Sequence, residues 1–183
     1  MTKPKLRIGL FGTGFMGKAH VFGFTSAPRV FDLPRDMELH TVADITPEAA
    51  TEAARRLGFA HSTANWRDIV ANPEINLVSI TAPNALHKEM SLAAIAAGKH
   101  VYCEKPLAPL SGDAREMAEA AEAAGVKTQV GFNYLCSRIL ALAREMILGG
   151  ELGDIRGYRG IHCEDYMADA QGPFSFRHDP AGG

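Results

Sequence analysis

Short apolar runs and stretches of helical spacing take turns along this chain. Residues 6–11 (Leu-Arg-Ile-Gly-Leu-Phe) make an apolar run short enough for a strand. It breaks into Gly12, Gly14 and Gly17, then continues without a helix breaker through Lys18-Ala19-His20-Val21-Phe22. A loop carrying Pro28 and Pro34 follows over residues 27–36, and residues 38–43 read as the next strand, with Asp44 at its C-terminal end. Thr46-Pro47-Glu48 supplies an N-cap and a proline at the first helical position. Ala50, Ala53, Ala54 and Leu57 then share one helical face, and Gly58 closes it. Residues 60–63 make a short strand and residues 65–70 a helical turn or two, ended by Asn72-Pro73. Residues 77–81 form a buried strand leading to Ala82-Pro83-Asn84. Residues 86–97 form a helix with Leu86, Met90, Ala93 and Ala97 on one face and Gly98 as stop. Residues 101–103 are a strand that runs into Glu104-Lys105-Pro106. Ser111 caps a helix through Ala124, and residues 126–131 are a further strand.

Strands alternating with helices in units of about thirty residues imply an α/β fold, a doubly wound parallel sheet of Rossmann type with helices on both faces. Ligands of such sheets bind at the C-terminal strand ends. Gly12, Asp44, Pro83-Asn84 and Glu104-Lys105-Pro106 all fall there, a clustering that core packing does not require. The glycines spell G-x-G-x-x-G between a strand and a helix. Gly12 permits a sharp turn, Gly14 lets the backbone approach a pyrophosphate, and Gly17 lets helix and strand pack closely. The helix N-terminus offers free N–H groups to that pyrophosphate, with Thr13, Phe15 and Met16 filling the variable positions around it. Asp44 stands where a carboxylate accepts hydrogen bonds from the adenosine ribose and repels a 2′-phosphate. Ile45 and Thr46 follow it rather than arginines, so NAD is favoured over NADP.

From Tyr134 the pattern changes. Leu135, Ile139, Leu142 and Met146 mark a longer helix ended by Gly149-Gly150, and residues 155–163 read as a strand. A tail with one strand cannot bury a core of its own. Residues 1–131 are therefore expected to be the dinucleotide-binding domain. Residues 132–183 are expected to be a connecting helix and the first part of an incomplete second domain.

Composition narrows the function. The chain has 183 residues and a net charge of −2 with no basic block, so nothing in it favours nucleic acid or a membrane surface. It starts without a leader-like apolar segment and contains no run of membrane-spanning length. Cys103, Cys136 and Cys163, an odd and widely spaced set, read as free thiols in a reducing cytoplasm, and no metal-ligand spacing is present.

Several segments together resemble the Gfo/Idh/MocA family, named after glucose–fructose oxidoreductase and inositol dehydrogenase. They are the fingerprint from Gly12 to Gly17, Thr81-Ala82-Pro83-Asn84 with His87, and Glu104-Lys105-Pro106. Gly131-Phe132-Asn133-Tyr134, Gly150-Glu151-Leu152-Gly153-Asp154-Ile155 and the Phe174-Ser175-Phe176-Arg177 segment add to them. The resemblance implies an NAD(P)-dependent oxidoreductase that moves a hydride between nicotinamide and a hydroxyl or carbonyl carbon of a sugar, polyol or inositol-like substrate. It also implies a C-terminal α+β domain that completes the substrate pocket and forms a homo-oligomer interface. Lys105 inherits the role of the lysine beside the nicotinamide and the reacting hydroxyl. Ala82, Pro83, Asn84, His87 and Glu104 join the cofactor contacts, with Asn84 and His87 opening a helix near the nicotinamide ribose. Glu104 either orients Lys105 or is a surface carboxylate. The alternative function is a protein that binds a dinucleotide without turning it over, such as a redox regulator.

Overall fold

Six parallel strands lie side by side in the order β3-β2-β1-β4-β5-β6. They are β1 (Lys5–Phe11), β2 (Asp36–Ala43), β3 (His61–Thr63), β4 (Leu77–Ile80), β5 (His100–Cys103) and β6 (Thr128–Val130). The connections carry α1 (Phe15–Val30), α2 (Pro47–Leu57), α3 (Trp66–Ala71), α4 (His87–Ala96) and α5 (Ser111–Ala124). This computed structural model describes residues 3–165 and 168–174. They divide into one unit that ends at Gly131 and another that begins at Phe132. The sheet belongs to the first unit. The second contains a short 3-10 turn, Asn133–Cys136, and the helix α6, Arg138–Leu148.

The sheet is apolar on both faces because side chains alternate along a strand while the sequence does not. Leu10 and Phe11 are neighbours in β1, yet they feed different cores. Leu10 packs with Val21, Val42, Ala53, Ala54 and Phe59. Phe11 packs with Ile69, Val78, Ile80, Met90 and Val101. The caps inferred for two helices are made: the Thr46 hydroxyl accepts from Ala49 N–H at 3.1 Å, and the Asn65 side chain accepts from Arg67 N–H at 3.2 Å.

Three expectations need correction. The first helix runs through Pro28 to Val30 instead of ending before a proline loop. Pro28 sits in the last turn, where a missing N–H costs a single bond, and Phe31 N–H still closes on Ala27 O at 2.9 Å. Ser111 is the first residue of α5, with Leu110 before it, and makes no side-chain cap. Residues 155–163 have no strand, because a strand exists only through pairing and no ladder forms there. Beyond Phe174, the Phe-Ser-Phe-Arg segment lies outside the described residues.

At the N-terminal edge of the sheet Lys99, 4% exposed, donates to Asn72 O at 2.6 Å and Ile75 O at 2.9 Å. It thus holds the end of α3 and the approach to β4 against β5. Burial pulls its ammonium below the ordinary lysine value of 10.5. Lys99→Met removes the donor from both carbonyls and is expected to cost about 1–3 kcal/mol, read as a shift in the urea midpoint. Below its folded pKa the lysine is charged in both states and its burial opposes folding. As pH rises through that folded value towards 10.5, only the folded state sheds the proton. The wild type should therefore gain on Lys99→Met across this window.

Candidate cofactor and active site

The strand order reverses direction between β1 and β4, and connections leaving those two strands in opposite directions open a crevice at their C-terminal ends. Gly12 makes the turn there. Its φ is +90°, and a Cβ at this position would lie 3.0 Å from Thr81 O. Both facts demand glycine. Gly12 N–H donates to Ala43 O at 3.0 Å, while the Thr81 hydroxyl reaches Phe11 O at 3.0 Å and Gly12 O at 2.8 Å. The turn is thus pinned from β2 on one side and from the end of β4 on the other. Gly17 packs so closely on Gly12 that a Cβ would collide with the Gly12 carbonyl.

Helix α1 starts at this turn with Gly14 as its N-cap, and neither a capping side chain nor an acidic residue occupies its first turn. Nothing lies within 4 Å of the place a Gly14 Cβ would take. The space beside Gly14 is therefore open, and the first-turn N–H groups have no side-chain cap, the setting in which a phosphate binds. Phe15, at the first helical position, is 83% exposed, and Met16 is half-buried. Asp44 follows β2 beside the turn. One of its oxygens accepts the Thr13 hydroxyl, and the other accepts Ile45 N–H at 2.7 Å. Uncapped N–H groups with room before them, next to a half-buried carboxylate at the neighbouring strand end, fit a dinucleotide with free ribose hydroxyls.

Across the switch point Ala82, Pro83 and Asn84 leave β4, and Asn84–Leu86 forms a 3-10 turn before α4. Lys105 follows β5. Its side chain is exposed, the Lys105–Pro106 peptide bond is cis, and among the described residues its ammonium has no hydrogen-bond or ion-pair partner. The fingerprint, Asp44, residues 82–84 and Lys105 therefore all gather at the C-terminal edge of the sheet.

Two of the residues inferred from sequence lie beneath that edge instead. His87 is fully buried, with Nδ1 2.9 Å from Pro106 O and Nε2 2.9 Å from Ala82 O. A neutral ring donates to one of these carbonyls and an imidazolium to both, so the ring links the Ala82 loop to the Lys105 loop. Glu104 is buried rather than a surface carboxylate, and one of its oxygens accepts Lys105 N–H at 3.2 Å. Sequence reading gave Thr81 no role beyond its place in the 81–84 segment and missed His20 and Ser79. His20 did carry a signal: with Gly17 and Val21 it occupies the inward face of α1, where a polar side chain needs a partner. In the second unit Tyr134 lies near His162, ring centroids 6.1 Å apart, and His162 pairs with Glu164 at 3.0 Å. Among the described residues no group of three His, Cys, Asp or Glu side chains comes together, and no helix is long and apolar enough to cross a membrane.

Residues 6–132 match the model of a family described as Gfo/Idh/MocA oxidoreductases with an NAD-binding Rossmann fold. Levoglucosan dehydrogenase from Pseudarthrobacter phenanthrenivorans is 42% identical over 173 residues, covering 94% of this chain and 44% of that protein. Inositol 2-dehydrogenase from Gluconacetobacter diazotrophicus is 34% identical over 159 residues, 86% of this chain and 45% of its own length. Among solved structures, levoglucosan dehydrogenase in complex with NADH superposes with a TM-score of 0.93 at 40% identity, over 97% of this chain and 48% of that one. An NAD-binding oxidoreductase from Klebsiella pneumoniae gives 0.78 at 46% identity, over 81% and 40%. The chain spans about half the length of the curated relatives it matches.

Cys103 ends β5 one residue from Glu104, and burial pushes its thiol up to about 12, with the Ser91 hydroxyl beside it acting in the opposite direction. At neutral to mildly alkaline pH it should therefore resist a disulfide reagent in the folded protein and react only once the chain is unfolded. Mass spectrometry of the labelled peptide reads this directly.

Proposed function

The chain belongs to the Gfo/Idh/MocA oxidoreductases, and from that premise we propose that it binds NAD and serves hydride transfer to or from a hydroxylated carbon of a sugar or polyol. The observation that carries the reading is the uncapped start of α1, with open space before Gly14 and Asp44 alongside. Relatives named for levoglucosan and inositol point to cyclic polyhydroxylated substrates. Residues 1–131 are then the cofactor domain, and residues 132–183 the beginning of a substrate domain. A cytoplasmic homo-oligomer, without nucleic acid or membrane partners, accompanies this reading as a proposal.

When bound, the nicotinamide supplies the hydride chemistry. The chain supplies placement and charge. The first turn of α1 binds the pyrophosphate through backbone N–H groups, flanked by Thr13, Phe15 and Met16. Asp44 exchanges its hydrogen bond with Thr13 for ribose hydroxyls and disfavours a 2′-phosphate. Ala82, Pro83 and Asn84 border the crevice on its β4 side. Lys105 would donate from Nζ to the substrate oxygen and stabilise the negative charge that grows there as the hydride reaches the carbonyl carbon, an alkoxide to which the ammonium can then pass its proton; in the oxidation direction the same steps run in reverse. Its exposed ammonium, without a partner among the described residues, suits that task. His87 and Glu104 support the site from below rather than touching the cofactor.

Titration with NADH and NADPH, followed by nicotinamide fluorescence, tests the binding half. NADH should saturate and bind the tighter of the two. Asp44→Ala should weaken NADH by about 10- to 100-fold and remove the preference, the loss expected for hydrogen bonds to a charged group. Equal affinity in the wild type would overturn the role of Asp44. For the chemistry, NAD reduction is followed in the full chain with levoglucosan, inositols and other sugars. Lys105→Ala should lower turnover by at least about 100-fold while leaving NADH binding in place. Cofactor binding with no turnover on any such substrate would point to a regulator instead.

A further inference from the structure

His20, Ser79 and Glu104 form a line of buried polar side chains. Ser79 Oγ lies 2.8 Å from His20 Nδ1, His20 Nε2 lies 3.0 Å from Glu104 Oε1, and Glu104 Oε2 accepts the Lys105 amide N–H at 3.2 Å. The three are 6%, 0% and 5% exposed. They come from three elements: His20 from α1, Ser79 from β4, and Glu104 from just after β5. The imidazole stacks on Tyr102 at 4.3 Å between ring centroids and 12° between planes, with Phe24 edge-on. The Glu104 carboxylate fills the space beside Gly131, where a Cβ would collide with it. Neither side chain has room to swing.

Taking a carboxylate out of water is expensive unless its oxygens meet donors, and an apolar residue of similar volume would fill the core at lower cost. What the line provides is a fixed point at Lys105, because its last hydrogen bond ends on that residue's main chain. We propose that His20 is a positioning residue for Lys105, acting through Glu104; the proposal rests on the role given to Lys105 above. An ionised Glu104 accepts from His20 Nε2–H and from Lys105 N–H, and Nδ1 then accepts the Ser79 hydroxyl. Each of these groups has its partner, and donation runs from Ser79 towards Glu104. Displacing a catalytic group by about 1 Å costs on the order of 100-fold in rate, so such an anchor has kinetic weight.

Steady-state kinetics of the full chain tests this. His20→Phe keeps a ring on Tyr102 and removes both nitrogens; kcat should fall about 10- to 100-fold while KM for NAD moves by less than about twofold. Glu104→Leu should behave alike. Glu104→Gln, whose side-chain carbonyl still accepts Lys105 N–H, should lose about tenfold less than Glu104→Leu. The double variant His20→Phe with Lys105→Ala should be no slower than Lys105→Ala alone, because His20 acts only through Lys105. Additive losses in the double variant, or an unaltered kcat in His20→Phe, overturn the proposal.

Nitrogen NMR of His20 gives a readout independent of turnover and of whether His20→Phe folds. The wild type should show the Nε2–H tautomer. In Glu104→Gln the amide N–H donates to Nε2 and the ring should switch to Nδ1–H. A tautomer indifferent to Glu104 overturns the line. Turnover that survives Lys105→Ala overturns the role of Lys105 itself, and this proposal with it.

Discussion

The Thr81 hydroxyl sits within reach of two carbonyls, those of Phe11 and Gly12, which lie 70 and 69 residues away in the chain. Everything at the C-terminal edge depends on this seam. In a doubly wound sheet the two halves meet at β1 and β4, and their connections depart in opposite directions, so no helix covers the junction. A junction left open would expose the end of β1 as a loose turn. Thr81 closes it from one side, Gly12 N–H on Ala43 O holds it from the other, and the absent Cβ at Gly12 lets the strands come that close. The walls of the crevice are therefore tied together by hydrogen bonds of the chain itself, which is what a ligand needs from a site that is to bind it without first ordering it.

The order of elements was legible because each carries its own signal. The consecutive apolar residues at 10 and 11 report burial on both faces, and Thr46-Pro47 and Asn65 announce helix starts that the structure contains. The misreadings share a cause: they concern what a segment meets, not what it is. Pro28 looks like a helix stop until its place in a last turn is known, and residues 155–163 look like a strand until a partner is sought. The site divides in the same way. The glycines, Asp44 and Lys105 stand at strand ends that periodicity locates. His20 and Ser79 make a contact across 59 residues and His20 and Glu104 across 84, distances over which a single sequence carries no register.

Below the crevice, buried polar side chains reach main-chain atoms of the loops. His87 lies between Pro106 O and Ala82 O, Glu104 accepts the Lys105 amide, and both residues bracket the one exposed cation of that loop from its two sides. At the far edge of the sheet Lys99 performs the matching task on Asn72 O and Ile75 O, so both ends of the central strands are tied by buried side chains to main-chain atoms. Apolar packing decides that a sheet forms. These bonds decide where its loops stop.

The grip on residue 105 is made through its amide, not through its side chain. Any amino acid with an N–H could occupy that position and be held in the same place, so the main chain fixes where the side chain stands independently of which side chain it is. Changes in the chemistry of that single residue would leave the scaffold undisturbed. A lineage built on such a fold is thus free to vary the side chain at position 105 without first solving the problem of folding again.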